Sequence, residues 1–116
     1  MTRVVLFREE DGSTPLLDWL DGLPHKAQGI ERLRELGHLL RRPEADYLRD
    51  GIYELRVKVE RIQYRMLYFF HGQEAVVLSH GIVKHQAVVP QREIERALQR
   101  KGAFDRDPKR HALEAL

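Results

Sequence analysis

The sequence predicts an α+β fold: a small, mainly antiparallel β-sheet with a two-helix hairpin packed on one face and a C-terminal helix. Three observations carry this prediction. Three consecutive β-type runs, residues 52–59, 62–70 and 75–84, are separated by connections of hairpin length. Two segments with apolar residues at helical spacing precede them, opened by Pro15 and Pro24. A third such segment, with Ile94, Ala97 and Leu98 as its stripe, follows Pro90 and ends at Gly102.

Residues 2–8 (TRVVLFR) read as a first strand, apolar on both faces from Val4 to Phe7 and therefore inside or beside the sheet. Ser13, Thr14 and Pro15 start a short helix, since a hydroxyl caps free amides and proline needs no partner for its missing N–H. That helix holds Leu16, Leu17, Trp19 and Leu20 and ends at Asp21-Gly22, with Trp19 read as a core anchor. Pro24 opens a longer helix to about Arg41, with Ile30, Leu33, Leu36, Gly37 and Leu40 inward and mixed charges outward. Arg42-Pro43 stops it, and residues 44–51 read as a polar connector.

The run 52–59 (IYELRVKV) puts Tyr53, Leu55, Val57 and Val59 on one side and Glu54, Arg56 and Lys58 on the other. The run 62–70 (IQYRMLYFF) is too dense in apolar groups for solvent on both sides and should be central. A first hairpin centred between Glu60 and Arg61 sets Arg56 directly across from Arg65. A second, centred between Gly72 and Gln73, sets Arg65 across from His80 and Arg61 across from Lys84. These five groups then share a face, opposite a core face of Tyr53, Leu55, Val57, Tyr64, Met66, Tyr68, Val77 and Val83. Like charges opposite one another on adjacent strands destabilise by a few tenths of a kcal/mol or more, so their retention points to an anion site, most plausibly for a phosphodiester. Two bland alternatives stand beside it: a register one residue off, or Glu54 and Glu60 neutralising the arginines.

Length and composition set the bounds. At 116 residues, 42% hydrophobic and 33% charged, the chain reads as one soluble globular domain over residues 1–104, followed by a tail, 105–116. The stretch 103–116 reads as a mobile tail or a short partner-docked helix. The net charge of +2 does not by itself argue for nucleic acid, but the cations concentrate on the predicted sheet. Without cysteine there is no disulfide framework and no thiolate metal site or nucleophile. No leader-like segment and no bilayer-spanning stretch is visible, so a cytoplasmic protein without membrane, metal or cofactor is expected. His71, His80 and His85 lack metal-ligand spacing.

The strings GIYELR (51–56), YRMLYFF (64–70), HGIVK (80–84) and PQREIERA (90–97), in this order, resemble the RelE-like toxins, in particular the phage-derived, HigB-like branch. The likeness spans Val4 to about Phe104. The resemblance implies a RelE-like fold and ribosome-dependent cleavage of messenger RNA. It also implies a neighbouring antitoxin, usually a helix-turn-helix (HigA-like) protein. It carries the basic site over to Arg56, Arg65 and Lys84; where relatives continue with a second lysine and a threonine before the proline, this chain has His85 and Val89.

The chemistry suits these residues. RNA supplies its own nucleophile, the 2′-hydroxyl, so a protein need only take that proton, stabilise the phosphorane and protonate the leaving 5′-oxygen. Arg56 and Arg65 are assigned to the transition-state charge, Lys84 to base or acid, and His85, ahead of His80, to the other proton transfer. Lys58 and Arg61, with His80, would hold the RNA backbone without reading sequence. A non-catalytic RNA or ribosome-binding module, and a domain docking an acidic protein segment, are the competing classes.

Overall fold

A computed structural model describes residues 2–22, 26–59, 61–73, 75–83 and 88–114, with the backbone alone at 26–28 and 59. The predicted helix start at Pro24, the neutralising Glu60, and Lys84 and His85 lie outside the described residues. The fold is α+β, as predicted. Six strands form one sheet in the order β2-β3-β4-β5-β1-β6. They are β1 (Arg3–Phe7), β2 (Ala45–Arg49), β3 (Ile52–Val59), β4 (Ile62–His71), β5 (Ala75–Val83) and β6 (Ala112–Leu113). The β1–β5 pair is parallel and the other pairings are antiparallel.

Helices α1 (Pro15–Asp21) and α2 (Lys26–Leu36) cover one face of the sheet, as the sequence predicts, burying Leu16, Leu20, Ile30 and Leu33 against Leu55, Met66 and Tyr68. Pro15 occupies the first turn of α1, and Trp19 packs on this core with its ring edge toward Tyr64 at 5.9 Å. Helix α2 ends five residues before the predicted Arg41. Gly37, at φ +51°, takes a left-handed conformation that ends the α-helix, and a 3-10 turn over Gly37–Leu39 follows.

The opposite face carries α3 (Gln91–Arg106), which buries Ile94, Ala97 and Phe104 on Val5, Ile52, Leu67, Phe69 and Val77. The sheet therefore has two apolar faces, and β4 is central, with Met66, Leu67, Tyr68 and Phe69 all fully buried. Each such side chain contributes about 1.5–3 kcal/mol relative to exposure.

Four expectations are corrected. The 44–51 connector contains β2, an edge strand pairing Ala45 with Leu55 and Tyr47 with Tyr53. Its sequence, with Asp46 and Arg49 flanking Tyr47 and Leu48, does not resemble a buried strand, because an edge strand stays partly in solvent. Helix α3 runs through Gly102 to Arg106, because Phe104 anchors the extra turn against Phe69 at 6.0 Å and His71 at 5.1 Å. The predicted tail is docked: Asp107 caps a short α4 (Pro108–His111), and β6 then pairs Ala112 with Phe7 and Leu113 with Leu6. His111 stacks on Phe7 at 5.0 Å, and its Nδ1 lies 2.8 Å from the Arg8 carbonyl.

The fourth correction concerns register. His71 pairs with Ala75, so the β4–β5 turn holds an odd number of residues and shifts the pairing by one. A bulge at Ser79 then adds a second residue, since Tyr68 faces Leu78 while Leu67 faces His80. His80 lies across from Leu67, and Ile82, not His80, faces Arg65. Val77, assigned to the helix-hairpin side, belongs instead to the core beneath α3. Past the bulge the alternation is restored, so Val83 is across from Tyr64 as its assignment requires.

Candidate nucleic-acid interface

The β3–β4 hairpin pairs Arg56 directly with Arg65 and Lys58 with Gln63, the register the sequence predicts. Nearer the middle of the sheet the same face is apolar under α3; toward the hairpin tip it becomes polar, with Glu54, Arg56, Lys58 and Arg65.

Two guanidinium groups sit side by side because one carboxylate lies between them. Glu54, 2% exposed, accepts from Arg65 Nη1, and the same Oε1 accepts from Arg56 Nε at 3.1 Å. Arg56 Nη2 reaches Asp46 Oδ2 on β2 at 3.3 Å, and Asp46 in turn accepts from Arg42 Nε at 2.9 Å. The hydrogen bond from Arg42 is the main cause holding the Asp46 carboxyl below the usual carboxylate range. The chain Arg42–Asp46–Arg56–Glu54–Arg65 alternates in sign, which removes the like-charge penalty of the cross-strand pair. Glu54 therefore acts as the sequence alternative allowed, as a counter-ion to both arginines.

The two arginines differ in access. Arg65 is 3% exposed and ion-paired, so it braces Glu54. The Arg56 side chain is 32% exposed and lines an open cleft of about 450 Å³ with Pro43, Glu44, Val57, Lys58, Gln63 and Arg65. A second cleft, of about 460 Å³, adjoins it and shares Glu44, Arg56, Val57 and Lys58. Its remaining wall is Gly29, Glu31 and Arg32 of α2. A side chain at Gly29 would press on Leu55 and Val57 at 3.4 Å, and its absence lets α2 approach β3 here. Arg32 grips Glu44 through both oxygens, Nε to Oε2 at 2.9 Å and Nη2 to Oε1 at 3.0 Å. That bond pushes the Glu44 carboxyl down and the Arg32 guanidinium up.

Of the other predicted residues, Lys58 lines both clefts and is exposed, while Arg61 sits exposed at the hairpin tip outside them. Among the described residues neither forms an ion pair. His80 is not brought to the site: it is buried beneath α3, with Nδ1 2.9 Å from Ser79 Oγ. Burial, with Arg100 and Arg96 adding, lowers its pKa to about 3, so the ring is neutral. Glu93 Oε1 lies 3.4 Å from its Nε2, but in no hydrogen-bonding alignment. Glu44 and Arg32 were invisible to sequence reasoning, because they meet only once β2 and α2 are folded together. Asp46 carried one faint signal, an acidic residue close to a run of arginines.

Comparison with models of known protein families matches residues 18–102, well over half of the 116-residue chain, to the phage-derived protein Gp49-like family (DUF891). No curated protein matches the chain. With α2, strands β2 to β5 and the cationic hairpin all inside the matched stretch, the chain belongs to the phage-derived Gp49-like family, a RelE/toxin-like family related to the toxins of toxin–antitoxin systems.

Proposed function

We propose that the chain is the toxin of a type II toxin–antitoxin system, of the HigB-like branch. In this reading it is an endoribonuclease that cuts messenger RNA on the ribosome and arrests translation. The observation that carries the reading is Arg56, half-exposed over an open cleft and held in place by buried Glu54. A guanidinium fork fixed before substrate arrives stabilises phosphorane charge without reorganisation. Arg56 Nη2 is shared between Glu54 and Asp46, and the Asp46 contact at 3.3 Å is the one a phosphate oxygen replaces. Arg65 is a positioning residue acting through Glu54, while Lys58 and Arg61 hold the flanking backbone. From the sequence, Lys84 as base or acid and His85 are candidates for the two proton transfers. A helix-turn-helix antitoxin that masks the cleft is the implied protein partner, and the ribosome places the action in the cytoplasm.

A second reading is supported by the ion-pair network itself. With Arg65 buried and both arginines partly neutralised, the same face suits a non-catalytic RNA-binding or protein-docking domain. Primer extension on a defined message, with and without ribosomes, separates the two. New 5′ ends that need both protein and ribosomes support the nuclease; protection of the message without new ends supports the binding module.

A further inference from the structure

Among the described residues Glu44 is the one carboxylate that lines both clefts, and it stands where β2 begins, beside the residue proposed to bind the reacting phosphate. Its backbone carbonyl accepts the Arg56 amide at 2.8 Å, which ties the two residues' positions together across the β2–β3 boundary. The Glu44 side chain is 39% exposed and is oriented by the two-point grip of Arg32. Arg32 uses one lone-pair site on each oxygen, and a carboxylate has about four, so acceptor capacity remains for a substrate hydroxyl.

We propose that Glu44 is the general base of the cleavage step and Lys58 its general acid, in place of the sequence candidates Lys84 and His85, and that Arg32 is the residue that positions Glu44. This rests on the ribonuclease reading above. Glu44 takes the proton of the 2′-hydroxyl; that oxygen forms its bond to phosphorus as the bond from phosphorus to the 5′-oxygen breaks. The leaving oxygen takes a proton from the ammonium of Lys58, which lines the same two clefts. The products are a 2′,3′-cyclic phosphate and a 5′-hydroxyl, with no water or other reactant consumed. The groups facing Glu44 are Arg32 and Glu31 from α2, Arg56 and Lys58 from β3, and Arg65 from β4. The hydrogen bond from Arg32 holds the Glu44 carboxyl below the usual carboxylate range, so it is ionised and free to accept a proton at neutral pH.

The test is single-turnover cleavage of a ribosome-bound message across pH, using the full chain, Glu44→Gln and Arg32→Gln, with thermal melts showing that all three are folded. Glu44→Gln should lose 100-fold or more in rate at neutral pH, with RNA affinity held or tightened, and should lose the acid limb of the pH profile. Arg32→Gln should retain the limb but move it to higher pH, a displacement that mere loosening of the fold would not produce. If the wild type cleaves while Glu44→Gln keeps its rate within threefold or keeps the limb, the assignment of Glu44 falls and the nuclease reading stands. If the wild type itself cuts nothing, both fall.

Discussion

Arg56 and Arg65 share a carboxylate, yet their substitutions should have different consequences. Arg65→Ala leaves Glu54 buried without its closest partner, and loss of one member of a buried pair destabilises by about 3–5 kcal/mol. Urea titration should show that loss directly, and inactivity of this variant would say little about chemistry. Arg56→Gln removes a partly exposed group and should leave stability within about 1 kcal/mol. His80 supplies a separate test, through stability. Its folded pKa of about 3 lies below the ordinary histidine value, so between about pH 6.5 and 3 the unfolded chain binds a proton the folded one refuses. Its contribution is present above that window and is lost as the pH falls through it, by up to about 1.4 kcal/mol per pH unit. His80→Gln should flatten that part of the curve relative to wild type, measured by denaturant titration at successive pH values.

The elements show where the sequence was legible and where it was not. The β3–β4 hairpin could be placed to the residue, since alternation in 52–59 and the short polar turn leave one register that keeps Leu55 and Val57 inside. The β4–β5 hairpin could not, because Ser79 and His80 read as an ordinary polar-polar step, and a bulge is decided by pairing. Edge strand β2 was hidden by its polar residues, and the second apolar face was hidden by the cations at its hairpin end. Those same cations made the arginine pair visible and concealed that Glu54 joins them. The packing of α1 on β5 depends on Gly81, where a β-carbon would sit 2.5 Å from three atoms of the Trp19 ring. Gly81→Ala should therefore destabilise by about 1–3 kcal/mol, read as a lower melting temperature with no change in the charge network.

At the scale of the molecule, a net charge of +2 conceals an uneven distribution: among the described residues Lys58, in the clefts, and Arg61, at the hairpin tip, form no ion pair, while Arg56 and Arg65 are paired. RNA binding should then be strongly salt-dependent, and Lys58→Ala should lower the slope of log affinity against log salt by about 0.7, the share of one phosphate contact on a single strand. The docked C-terminal segment closes the β1 edge at the far side of the sheet from β2, so it supports the fold without touching the clefts. The central claim is that Arg56 stabilises charge on a phosphate undergoing cleavage. Its most direct test is the single-turnover rate of message cleavage on ribosomes for wild type and Arg56→Gln, with matched melting temperatures. The account predicts a 10²–10³-fold loss for the variant. Equal rates for the two proteins would contradict it.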